Sequence, residues 1–107
     1  MRPALEVHFY RSDAGTEPVR EWLKSLSADR KTIGEDIKTV KFGWPPGMPL
    51  VRKLDTDLWE VRISLAGRIA RIFFTLEGGS MVLLHGFIKK SAQTPRGDLR
   101  TAKRRMK

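Results

Sequence analysis

Leu5, Val7 and Phe9 alternate with Glu6, His8 and Tyr10, the period-2 pattern of a half-buried strand over 5–10. After the turn-like stretch RSDAGTE the period changes. Val19, Trp22, Leu23 and Leu26 fall at helical spacing, with Thr16 as candidate N-cap. Pro18 suits the first turn, where its missing N–H has no intrahelical acceptor. Ile33, Ile37 and Val40 mark one face of a second helix, with Ser27 as candidate cap and Gly34 as a weak point. The two helices read as an αα-hairpin. FGWPPGMP at 42–49 breaks the pattern and reads as a loop, because neither side is large enough to stand easily alone.

Beyond the loop the period returns to two. Strands are expected near 50–54, 58–65, 68–76 and 80–88, joined by tight connections at DTD, AG and EGG. A last helix is expected to start at Thr94 and Pro95 and to carry Leu99, Ala102 and Met106 on one face. The predicted architecture is α+β in a single domain, 1–107. An N-terminal strand and helical hairpin pack on one face of an antiparallel sheet, a short C-terminal helix closes the chain, and the other sheet face stays free.

The hairpin LWEVRISLAGRIARIFF (58–74) holds the first sign of chemistry. A two- or four-residue turn at Ala66-Gly67 gives one register, placing Trp59, Val61, Ile63 and Leu65 on the face of Ala70, Ile72 and Phe74. The opposite face carries Glu60, Arg62, Ser64, Ile69, Arg71 and Phe73. A one-residue slip would put Arg71 among the apolar residues, so the pattern argues against it. In this register Arg62 faces Arg71, and like charges opposed across strands are destabilising. Folding gives no reason for that pair unless a carboxylate such as Glu60 neutralises it. Two guanidiniums on an open face suit phosphate, which their planar forks bind through two parallel hydrogen bonds. Lys53 one strand earlier and Lys89-Lys90 after the last strand extend a basic crescent. Arg68 near the turn is sufficiently explained by exposure. The same turn geometry at Gly78-Gly79 sets His85 opposite Ile72, on the core side, which favours a buried, hydrogen-bonded histidine over a catalytic acid–base group; His8 is also read as structural.

Composition narrows the field. The chain has 107 residues, 40 % of them hydrophobic, enough for one buried core. Without cysteine there is neither a disulfide framework nor a thiolate metal site, and two distant histidines argue against a histidine-rich one. No apolar run approaches membrane-spanning length, so a cytoplasmic location is expected. Lysine and arginine number 21 against 12 acids, a net charge of +9 that favours polyanionic partners. From Lys89 onward Asp98 is the single acid.

The strand LWEVRIS, the strand RIARIFF, the strand end HGFIKK and the TP-initiated last helix, preceded by PVREWL, occur in an order that resembles the HigB branch of the RelE/ParE toxin superfamily. The likeness is to its phage-derived HigB-like members, and it spans most of the chain. It implies the toxin of a type II toxin–antitoxin pair, an endoribonuclease that cuts mRNA on the ribosome. That chemistry needs no metal or other cofactor: the ribose 2′-OH attacks the neighbouring phosphate, leaving a 2′,3′-cyclic phosphate and a free 5′-OH. It also implies a helix-turn-helix, HigA-like antitoxin as partner, and no membrane.

Carried over by position, Arg62 and Arg71 match basic residues of the central strands, with Arg71 stabilising the pentavalent phosphate. Lys90, or Lys89, matches the basic residue ending the last strand, a candidate proton donor. Lys53, Arg68, Lys89 and Arg96 form the expected RNA-contacting set. Two departures stand out. The sole tyrosine is Tyr10, so the late tyrosine of RelE enzymes is missing and Arg96 stands roughly in its place. Glu60 replaces a lysine, and is either the general base or an arginine's counter-ion. A gyrase-inhibiting ParE-like toxin, a non-catalytic nucleic-acid-binding module and an inactive prophage remnant stay open as alternatives. On the nuclease reading, Arg71→Ala is expected to abolish growth inhibition with the fold intact.

Overall fold

Proline at position 18 sets where the first helix begins. The residue before a proline is pushed out of the helical region, and Glu17 is extended at φ −119° and ψ 88°. In the computed structural model, which describes residues 4–44, 50–89 and 96–106, helix α1 therefore runs Pro18–Ser25. Thr16 lies one residue too early to cap it. Its hydroxyl instead meets Ser12 Oγ at 2.6 Å, and its N–H donates to the same oxygen, closing the loop after the first strand. Helix α2, Arg30–Gly43, starts from Asp29 and not Ser27, because the Leu26 carbonyl already accepts N–H groups from Asp29 and Arg30 in the turn between the helices.

Five strands form one sheet: β1 (Glu6–Phe9), β2 (Val51–Asp55), β3 (Leu58–Leu65), β4 (Arg68–Glu77) and β5 (Ser80–Ile88), in the order β1-β5-β4-β3-β2. The four later strands are antiparallel, whereas β1 joins the edge parallel to β5, from Glu6 beside Ser80 to Phe9 beside Leu83. The β3–β4 register is the expected one, with Trp59 opposite Phe74 and Arg62 opposite Arg71. Gly67 in the connecting turn has φ +69°, a conformation a side chain resists.

The helix-facing side of the sheet holds the larger core. Val61, Ile63, Ile72, Phe74, Met81 and Leu83 meet Val19, Ile33, Ile37 and Val40 of the two helices. The other face is not free as expected. Helix α3, Arg96–Met106, lies on it and closes a second core of Leu58, Phe73, Leu84 and Ala102, flanked by Leu54, Phe87, Leu99 and Met106. The predicted stripe of Leu99, Ala102 and Met106 is the side that packs; the expected start at Thr94-Pro95 lies outside the described residues. The reason is composition: Phe73, Leu84 and Phe87 leave too much apolar surface on that face for water to cover cheaply, and burying one such side chain stabilises by about 1.5–3 kcal/mol.

One irregularity changes the chemistry. Phe74 pairs with Leu83 but Phe73 pairs with His85, so Leu84 is an extra residue, a β-bulge. From that point β5 is shifted by one, and His85 lies opposite Phe73 on the α3 side, not opposite Ile72 in the helix-facing core. Gly86 takes the place opposite Ile72, where the Trp22 ring of α1 presses on the backbone.

A Cβ at Gly86 would lie 2.5 Å from two ring carbons of Trp22. Gly86→Ala should therefore destabilise by about 1–3 kcal/mol, the usual cost of overpacking, read as a lower urea midpoint with unchanged slope. An unchanged midpoint would show that Trp22 yields freely.

Candidate functional site

Strand alternation brings Glu60 of β3 and Arg71 of β4 onto the α3 side as diagonal neighbours, Glu60 opposite Phe73 and Arg71 opposite Arg62. Their side chains form an ion pair in which Arg71 Nη2 donates to Glu60 Oε2. Glu60 is 0 % exposed and Arg71 6 %, so the pair sits away from water. Desolvation of this kind is tolerated only when the charges meet. The guanidinium also lies 5.6 Å from the Phe73 ring and 5.5 Å from the Phe87 ring, which are set edge-to-face to each other. The pairing is incomplete: Glu60 Oε1 and Arg71 Nε are buried without a hydrogen-bond partner. A second guanidinium approaches from β2, where Arg52 faces Glu60 and its Nη2 lies 3.7 Å from the same Oε2.

Arg62 is half-buried beside this cluster and its backbone N–H donates to the Leu50 carbonyl. Its side chain lines a cavity of about 420 Å³ at the open edge of β3, shared with Thr32 and Asp36 of α2, Ser64 and Ile69. Burial, and then the neighbouring charge of Glu35, pushes the Asp36 carboxyl up from its ordinary range. Lys89 follows β5, where its N–H donates to the Ile69 carbonyl; Lys90 lies outside the described residues. Arg96 is exposed at the start of α3.

Two expected RNA contacts are elsewhere. Lys53 pairs with Trp59 on the helix-facing side and sits over its ring at 5.5 Å, because β-strand alternation gives the α3 side to Arg52 instead. Arg68 is not a bare turn residue. It bonds Asp29 at the start of α2 and ties the hairpin turn to the helices.

His85, set on this face by the bulge, fastens α3. Its Nε2 donates to Asp98 Oδ1 at 2.6 Å and its Nδ1 accepts from Arg105 at 3.5 Å, so the Nε2–H tautomer serves both partners. Arg105 also donates to the Leu84 carbonyl, at the bulge, and lies over Tyr10. The His85 ring stacks on Phe87 at 5.6 Å and so borders the Arg71 pocket. Lys103 binds Asp55 at 2.7 Å. That hydrogen bond first, then the Thr56 N–H and the lysine's charge, holds the Asp55 carboxyl below its ordinary value. A lowered carboxylate contributes at neutral pH and loses its contribution only as pH falls through the lowered value.

Sequence reasoning missed Arg52 and this clasp. Arg52 carried a signal, since it sits two positions before Leu54, which shares its face; the clasp carried none, because it depends on the bulge. Among the described residues no three His, Asp or Glu side chains converge to hold a metal ion, and no helix is long and apolar enough to cross a membrane.

The family model for the phage-derived Gp49-like proteins (DUF891) matches residues 21–107, which include every member of the cluster. The chain belongs to that family. Gp49-like proteins are a HigB-like toxin family of the RelE superfamily. No individual curated protein matches the chain. In this Gp49-like protein β1 lies outside the matched segment, yet it completes the edge of the sheet beside β5.

The burial of the ion pair corrects the expectation that Arg71→Ala leaves the fold intact. Removing one partner strands the other charge inside the protein, at a cost of about 3–5 kcal/mol. Glu60→Ala should lose that much stability in chemical denaturation. The double variant Glu60→Leu/Arg71→Met, which replaces the pair with apolar groups, should recover most of it. Equal losses in the single and double variants would show that the two side chains are not coupled.

Proposed function

We propose that this chain is the toxin of a type II toxin–antitoxin system and cleaves mRNA on the ribosome without a metal. The single observation that carries this reading is that Arg52 and Arg71 both meet one buried carboxylate, Glu60, with Arg62 opposite Arg71 in the neighbouring strand. Family membership supports the toxin; the arginines support the chemistry. Attack of a 2′-OH on phosphorus forms the cyclic diester and breaks the bond to the 5′ oxygen, and negative charge builds on the phosphoryl oxygens. Fixed cations aimed there lower the barrier.

Arg62 and Arg52 meet the RNA phosphate first, since both reach solvent. Arg71 then exchanges Glu60 for the phosphate, an exchange helped by the incomplete hydrogen bonding of the buried pair. Glu60 serves as counter-ion in this scheme, holding Arg71 ready while the site is empty. Its two oxygens are enclosed, which disfavours it as the first acceptor of the 2′-OH proton; that proton passes to solvent water, and the leaving 5′ oxygen takes one up. Lys89, which follows β5, is assigned the leaving 5′ oxygen together with Lys90, the next residue in the sequence. A helix-turn-helix antitoxin is the proposed partner, and the basic α3 surface with Arg96 the proposed wider RNA contact.

The test is primer extension on cellular mRNA after induction. The intact chain should give discrete in-frame cleavages. Arg71→Lys keeps the charge beside Glu60 but loses the planar fork, and should lower cleavage by about 10²–10³-fold while the protein stays folded. Arg62→Ala should act in the same direction. Full cleavage by Arg71→Lys/Arg62→Ala would overturn the site assignment. Growth arrest with DNA damage and intact mRNA would instead establish a gyrase poison.

A further inference from the structure

Among the described residues one large hydrophobic side chain stands out in water: Phe42, 62 % exposed in the last turn of α2. Helix packing does not explain it. Ile33, Ile37 and Val40 are the side of α2 that enters the core, and Phe42 lies off that stripe. Its ring is instead bracketed by cations, with Lys41 Nζ 5.3 Å and Lys38 Nζ 6.0 Å from the centroid. Two residues further on, Trp44 meets Trp59 edge-on at 5.0 Å, and Lys53 covers Trp59. Rings and ammonium groups thus alternate at this corner of the molecule, on the helix side of the sheet.

We propose that this corner is a stacking platform for single-stranded nucleic acid. Phe42 takes the face of an unpaired base, and Lys38 and Lys41 take the flanking phosphates. An exposed ring between cations fits that polymer, in which a planar base and an anionic phosphate alternate. A partner helix would need several apolar anchors at helical spacing, and among the described residues no other large hydrophobic side chain is exposed beside Phe42. Insertion into a membrane surface would need an apolar helix face, and that of α2 is already spent on the core. The sheet separates the platform from Glu60 and Arg71, so this site stands whether or not Arg71 supports cleavage.

The experiment is fluorescence anisotropy of a labelled 2′-O-methyl oligonucleotide, which has no free 2′-OH and cannot be cut by the proposed reaction. Phe42→Ala should weaken binding about fivefold or more, the loss of one stacked base, and Phe42→Trp should restore it. Lys38→Ala/Lys41→Ala should weaken binding and flatten its salt dependence. Because Phe42 is exposed and outside the core, its replacement should leave the fold intact, which circular dichroism against the intact chain checks. Equal affinity of Phe42→Ala and the intact chain would overturn the proposal. So would equal affinity of the intact chain for an abasic strand, or a loss of binding to anionic vesicles but not to the oligonucleotide.

Discussion

A guanidinium buried on a central strand needs a carboxylate within reach, and the register of β3 on β4 supplies Glu60 to Arg71. Both side chains are buried. An uncompensated charge at either position would cost about 3–5 kcal/mol, a large fraction of a typical domain's stability. The pair therefore ties together three separate features: the even-residue hairpin turn, the aromatic lining from Phe73 and Phe87, and the placement of Arg52 on β2. A slip of one residue would send Arg71 into the helix-facing core and leave Glu60 alone.

The β-bulge at Leu84 is the second organising feature. It reverses the facing of β5 beyond that point, so that His85 and Phe87 face α3 and Gly86 admits Trp22. Arg105 bonds the backbone at the same irregularity, donating to the Leu84 carbonyl. Helix α3 is thereby held through His85 at its beginning and Arg105 near its end. A strongly basic helix is in this way held against the sheet face that carries the arginine cluster, and much of the charge of the chain is brought to one side.

Basic groups occupy both layers of the molecule, in different chemical settings. On the α3 side they meet a buried carboxylate beside the rings of Phe73 and Phe87. At the end of α2 they flank exposed or half-buried rings, an open surface suited to binding without chemistry. The two sites answer to different physics, desolvated electrostatics in one and stacking with screened charge in the other.

Much of the fold was legible in local pattern. Alternation and turn length set the β3–β4 hairpin, and with it the Arg62–Arg71 opposition, because a one-residue error would have turned an entire apolar face to water. Helical spacing identified the buried sides of α1, α2 and α3, and the family likeness followed from the same stretches. What local pattern could not reach was decided by partners distant in the chain. The parallel docking of β1, the cover of α3 on the second face, the bond from Arg68 to Asp29 and the assignment of Glu60 to Arg71 each join residues that no short-range period relates. The bulge belongs with them. A single extra residue leaves the apolar content of β5 unchanged, so periodicity alone cannot see it, yet it decides on which side of the sheet His85 stands.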